Sequence, residues 1–144
     1  MNEEQLLEKA IAIAVEAHRG QKDRYGISYI LHPIRVMCRL DDVTERTVAI
    51  LHDVVEDTDW TLKDLEEEGF PRPIIEALDS VTKRKAEPYE DFVQRSARNH
   101  LGRKVKLADL EDNMDVRRFR EVTDDDKGRL QKYLNAWHFL KGIK

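Results

Sequence analysis

The chain is short of cysteine, of long apolar runs and of net positive charge, and each shortage removes a class of protein. There is one cysteine, Cys38, in 144 residues, so no internal disulfide can form. Flanked by Val36 and Met37 on one side, it is read as a small buried apolar residue rather than a reactive thiol. No apolar run approaches the roughly 20 residues of a membrane span. The first residues, Met1-Asn2-Glu3-Glu4, are acidic where a secretory leader is basic, and a cytoplasmic protein is expected. Lys+Arg total 25 against Asp+Glu 29, a net charge of -4. That balance argues against a general nucleic-acid binder, which carries a clear basic excess. It leaves room for a local basic pocket that takes a small anion. Repeats, low-complexity tracts and linkers are also missing, and residues 1–144 are read as a single domain.

Period-two alternation is absent too, and the pattern that is present is helical. Leu6, Leu7, Ala10, Ile11, Ala14 and Val15 give a first helix one apolar face, and Gly20 stops it. A polar loop, Gln21 to Tyr29, precedes a second helix opened by His32-Pro33. Asp42 or Thr44 caps a third, which runs on through His52 and Asp53. Thr61 with Asp64 resembles a capping box for a short helix ended by Gly69. Pro71 and Pro73 open another, and Pro88 the next. A helix is predicted from about Leu101 to Phe119. Thr123 caps a last one striped by Leu130, Tyr133, Leu134, Trp137 and Leu140. The expected fold is all-α, a compact bundle of about seven or eight helices.

Four polar residues stand out against that apolar framework. His52 and Asp53 follow Val48-Ala49-Ile50-Leu51, a costly setting for two polar side chains without a partner. Glu56 and Asp57 lie four residues beyond each of them, one helical turn on. In the later helix Lys106, Asp109 and Asn113 share a face. His32 begins its own helix beside the polar loop. Three helices can then converge with His32, His52, Asp53 and Asp109 on one point. Two imidazoles and two carboxylates without thiolate suit a borderline-to-hard divalent ion. Manganese is favoured, with iron, zinc, cobalt and nickel as alternatives. Glu56 or Asp57 is placed to take a proton from a water activated there.

At these residues the chain resembles the HD-domain phosphohydrolase superfamily. Within it, the chain is most similar to the hydrolase domain of RelA/SpoT homologues and to small alarmone hydrolases. The matching stretches are Ala17-His18-Arg19-Gly20-Gln21, Tyr29 to Val36, Leu51 to Thr58, and Val105 to Asp109 with Asn113. The resemblance implies metal ligation by His32, His52, Asp53 and Asp109. It implies Glu56 and Asp57 as the water-activating pair and Asn113 as a contact to the nucleoside. Lys106 within the matched stretches, Arg24 in the loop before His32, and Lys83 in Val81-Thr82-Lys83-Arg84-Lys85 are the candidate phosphate contacts. The loop before His32 and the run Leu110-Glu111-Asp112-Asn113 depart from the family pattern, which often reads Arg-Leu-His-Asn in the second place. The implied activity is manganese-dependent removal of the 3′-pyrophosphate of guanosine tetra- and pentaphosphate. A nucleotidase acting on other nucleotides and a non-catalytic alarmone-binding module are the alternatives. The expected partner is a small nucleotide, with no nucleic acid and no membrane; the sequence assigns no oligomeric state.

Overall fold

Two hydrophobic clusters organise the chain, and one helix lies between them. The computed structural model describes residues 1–142. Its helices are α1 (Glu3–Ala17), α2 (Leu31–Cys38), α3 (Val43–Leu51), α4 (Val54–Asp57), α5 (Leu62–Glu67), α6 (Arg72–Ser80), α7 (Tyr89–Ala97), α8 (His100–Asn113) and α9 (Asp124–Lys141). The larger cluster draws Leu6, Ala10 and Ile13 from α1, Val48 to Leu51 from α3, Ile74 and Leu78 from α6, and Val105 and Ala108 from α8. The smaller joins Val93 of α7, Leu110 of α8, and Ala136 and Leu140 of α9. Helix α8 is therefore covered on two flanks. Among the described residues there is no strand, only an isolated bridge between Lys22 and Ser28. No helix among them is long and apolar enough to cross a membrane.

The all-α expectation holds, and most helix ends are where their capping residues place them. Asp42 accepts the amide of Glu45, and Thr61–Asp64 and Thr123–Asp126 form complete capping boxes. Pro71 and Pro88 occupy the N-cap positions of α6 and α7. Three expectations are corrected. The helix through His52 and Asp53 is interrupted there, so α3 and α4 are two parts of one broken helix. The cause is local. The His52 Nδ1 bonds the Ala49 carbonyl at 2.6 Å, the acceptor that an unbroken helix gives to residue 53. Asp53 then sits at φ -104, ψ 0, in the bridge region where active-site residues often sit.

The second correction is that α8 ends at Asn113, not near Phe119. The Asp115 side chain caps the Arg117 amide and starts a separate 3-10 turn, Val116–Arg118. The third concerns Cys38, which is exposed. It is the last residue of α2, past the buried positions His32, Pro33 and Val36.

Close packing of α8 against α6 depends on a missing side chain. A Cβ on Gly102 would lie 1.9 Å from the Ser80 Oγ and 3.2 Å from its Cβ. Ser80 is buried and its hydroxyl donates to the Ala77 carbonyl at 2.6 Å, so it has little room to move. Gly102→Ala should cost about 1–3 kcal/mol by urea denaturation through overpacking. Gly128 of α9 is exposed, and a Cβ added there would meet nothing within 4 Å. There the same change should be neutral or stabilise by up to about 1 kcal/mol. Equal effects at the two positions would refute the packing explanation.

Candidate metal centre and adjoining pocket

The α3–α4 break, the start of α2 and the middle of α8 meet at the Asp109 carboxylate. Its Oδ1 lies 2.9 Å from the His32 Nε2 and 3.2 Å from the His52 Nε2. One ligand atom from each of His32, His52 and Asp109 falls within 4.8 Å of the others, and all three residues are buried. The Asp53 Oδ2 is 3.1 Å from the His52 Nε2 and 3.6 Å from the His32 Nε2. The Tyr29 hydroxyl donates to that same Asp53 oxygen. On α8, Lys106 Nζ reaches the Asp109 Oδ2 at 3.0 Å and Asn113 Nδ2 reaches Oδ1 at 3.2 Å. The i, i+3, i+7 face read from sequence is thus a working contact set.

Each imidazole is fixed by its other nitrogen. His52 Nδ1 faces the Ala49 carbonyl at 2.6 Å. His32 Nδ1 faces the Asp112 Oδ2 at 2.6 Å. Both partners only accept hydrogen bonds in their carbonyl or carboxylate form, so both rings keep a proton on Nδ1 and turn Nε2 to the centre. This donor set, two oriented imidazoles beside carboxylates with no thiolate, fits a borderline or hard divalent cation.

The charges are strongly coupled. Burial works against ionising His52 and Asp109, but their neighbours outweigh it. The carboxylates of Asp53 and Asp109 hold the His52 pKa well above the usual imidazole value. Lys106 with the two histidines holds Asp109 well below the usual carboxylate value. Burial is the largest cause at Glu56 and Asp57 also, and there it prevails. Glu56 is raised, and Asp57 is pushed up to about 6, helped by the negative charge of Asp53 and Glu56.

Nine of the ten residues singled out from the sequence belong to this centre. Asp53, Glu56, Asp57, Lys83, Lys106, Asp109 and Asn113 line one cavity of about 340 Å³ together with His32, and His52 is packed behind Asp109. Lys83 contributes differently from its expected role. Its backbone amide donates to Glu56 Oε1 at 2.7 Å, while its exposed side chain reaches only the Arg84 carbonyl at 3.5 Å. Arg24 is the tenth. It faces a second cavity of about 340 Å³ that shares Tyr29, His32, Asn113 and Tyr133 with the first. There Arg24 pairs with Asp126 at 3.1 Å. Tyr89, which also lines the first cavity, is half-buried beneath the Lys106 and Lys132 ammonium groups.

The second cavity holds what sequence reasoning missed: Arg35, Arg118 and Arg129 on its wall, with Tyr25 against Phe119. Asp112, whose carboxylate takes the His32 ring, was also missed. A signal existed, since Arg35 follows His32 and Asp112 follows Asp109 by the same three residues, one helical turn. His18 proves fully buried. It bonds Gln21, whose amide in turn donates to the Asp57 carbonyl at 3.1 Å.

Fold and site together define a protein of the HD-domain class, an all-α bundle with paired His and Asp side chains at its centre. Comparison with known proteins narrows this. No protein-family model matches the chain. The guanosine-3′,5′-bis(diphosphate) 3′-pyrophosphohydrolase MESH1 of Danio rerio is 31% identical over 96% of this chain and 84% of its own length. The bifunctional (p)ppGpp synthase/hydrolase SpoT of Escherichia coli is 34% identical over 74% of this chain, which spans only 15% of that protein. A solved structure of a metazoan SpoT ortholog that hydrolyses ppGpp superposes with a TM-score of 0.78 at 25% identity, covering 95% of this chain and 86% of that one. The chain belongs to this family, the HD-domain (p)ppGpp 3′-pyrophosphohydrolases.

The loop that supplies the Lys83 amide is itself clamped. The mostly buried Arg95 guanidinium donates to the Asp79 and Thr82 carbonyls at 2.6 and 2.7 Å and grips both oxygens of Glu87 at 3.0 and 2.9 Å. The Arg95 hydrogen bonds lower the Glu87 pKa from 4.5 to about 2. A depressed carboxylate stabilises the fold fully above its unfolded value and loses that contribution as pH falls through its folded value. The difference in unfolding free energy between wild type and Glu87→Gln should be full above pH 4.5 and shrink as pH falls toward 2. A difference that stays flat from about pH 6 down to about pH 3 would refute the clamp.

Proposed function

We propose that this chain is a metal-dependent hydrolase that removes the 3′-pyrophosphate of guanosine tetra- and pentaphosphate. One observation carries the reading. The His32–His52–Asp109 convergence opens on the same cavity as the Glu56–Asp57 pair and adjoins an arginine-lined pocket. The activity named for the Danio rerio relative, matched over 84% of its length, supports the same substrate. Asp53 completes a set of four ligands. Manganese is the favoured cation, with iron, zinc, cobalt or nickel as alternatives. Such a cation supplies Lewis acidity, offsetting phosphoryl charge and making water a better nucleophile.

The protein groups divide the remaining work. Water attacks the phosphorus bonded to the ribose 3′ oxygen. Glu56 or Asp57 accepts its proton; burial raises both carboxylates above their usual values, in the direction that favours a general base at neutral pH. The phosphorus–O3′ bond breaks, a proton goes to the 3′ oxygen, and pyrophosphate leaves, with the nucleoside 5′-di- or triphosphate as the other product. Lys106 sits against the Asp109 carboxylate and lends positive charge to the cavity. The Lys83 amide holds Glu56 in place. Arg24 and Asn113 face the pocket into which the nucleoside extends. The partner is a small nucleotide, neither nucleic acid nor membrane, and the setting we propose is the cytoplasm.

The test follows pyrophosphate release from guanosine 3′,5′-bis(diphosphate) by chelator-stripped protein resupplied with manganese. Asp53→Ala should abolish it. Asp57→Asn or Glu56→Gln should lower kcat by about 100- to 10,000-fold while KM changes little. Manganese at about 100 times its Kd should add about 2.7 kcal/mol of stability to the wild type and none to Asp109→Ala. Orthophosphate release in place of pyrophosphate would favour a nucleotidase. Tight nucleotide binding without turnover across several divalent metals would favour a binding module.

A further inference from the structure

The Asp112 carboxylate has no solvent exposure, and both of its oxygens are committed. Oδ2 takes the His32 Nδ1 at 2.6 Å and Oδ1 takes the Arg35 Nε at 2.8 Å. The Arg118 guanidinium lies 3.7 Å from Oδ2 and donates to the Asp112 backbone carbonyl at 2.7 Å. An ion pair that only tied α2 to α8 would need Arg35 and Asp112 alone. Here the carboxylate is shared with the ring of a residue whose Nε2 faces the centre, 2.9 Å from Asp109.

We propose that Asp112 is a positioning residue for the metal centre: it keeps the His32 proton on Nδ1, leaves Nε2 to bind the cation, and strengthens that nitrogen as a donor. Arg35 holds the carboxylate in register. The inference rests on the metal-binding reading above and extends it to a residue one turn beyond Asp109. A neutral imidazole has one N–H and one lone pair, and a carboxylate can only accept. The contact therefore selects the tautomer. A full negative charge behind the ring also raises its basicity, as the outer partners of metal-bound histidines do. His52 provides an internal contrast. Its Nδ1 is fixed by the neutral Ala49 carbonyl, so its orientation is set without added charge. The two imidazoles are thus unequal ligands, with His32 the stronger donor.

The test is manganese(II) affinity of the full chain, measured by the loss of the free-ion EPR signal. Asp112→Asn keeps the shape but removes the charge, and its amide can donate as well as accept. It should bind manganese about 10- to 100-fold more weakly than wild type, with its helical circular dichroism retained. Affinity within about twofold of wild type, with wild type binding normally, would overturn the role of Asp112 and leave the metal centre standing. Wild type that binds no manganese would overturn both. A second measurement needs no variant. Long-range proton–nitrogen NMR of the wild type loaded with zinc should show hydrogen on the Nδ1 of both His32 and His52. Zinc bound through the His32 Nδ1 would refute the proposal even if Asp112→Asn failed to fold.

Discussion

The structure depends on keeping the Asp109 carboxylate charged inside the protein. A lone buried carboxylate would be several kcal/mol too costly and would take up a proton instead. Lys106, Asn113, His32 and His52 all reach it within 3.2 Å. Each of the first, third and fourth is fixed by something else: Lys106 over the Tyr89 and Phe92 rings, His32 by Asp112, His52 by a backbone carbonyl. The result is a polar centre with few alternative arrangements, walled by apolar packing. Low local polarisability around it makes every charge there count for more than it would in water.

Helix α8 makes this possible by being buried on two flanks at once. Val105 and Ala108 belong to one cluster and Leu110 to the other. Between those flanks runs the stripe of Lys106, Asp109 and Asp112, all buried. A charged stripe on a helix normally faces solvent. Here it faces the broken α3–α4 helix and the start of α2. The same His52 side chain that turns its Nε2 to Asp109 takes the Ala49 carbonyl and breaks α3, so the helix interruption and the ligand orientation have one cause.

The cavity beside Asp109 is also shaped from a distance. Glu56 is held by a backbone amide of the loop after α6, and that loop keeps its path because Arg95 of α7 ties it at two carbonyls and one carboxylate. The arginine-lined pocket has the opposite character. Its cations are braced by single acids, Arg24 and Arg129 by Asp126 and Arg35 by Asp112. The excess of cations over acids on that wall is suited to an anionic ligand.

Some of this was legible in the residues alone. Capping boxes at Thr61 and Thr123, prolines at helix starts and the 3.6-residue apolar spacing are local, and they determined the all-α class and most helix starts. His52 and Asp53 amid apolar neighbours marked the centre because unpartnered polar groups are costly in such a setting, and the matched stretches tied His32 and Asp109 to them. Other features were decided only by tertiary structure. The Lys83 amide on Glu56, Asp112 behind His32, Arg95 across the loop and the break at His52 each depend on a partner or a competing acceptor that hydrophobic periodicity does not reveal. Cys38 reads as buried from its neighbours yet is exposed, because burial at a helix end is set by what packs against it. Sequence determined which elements form and which residues could do the chemistry; the packing of α8 between two clusters decided which charges became buried, and hence which of them act together.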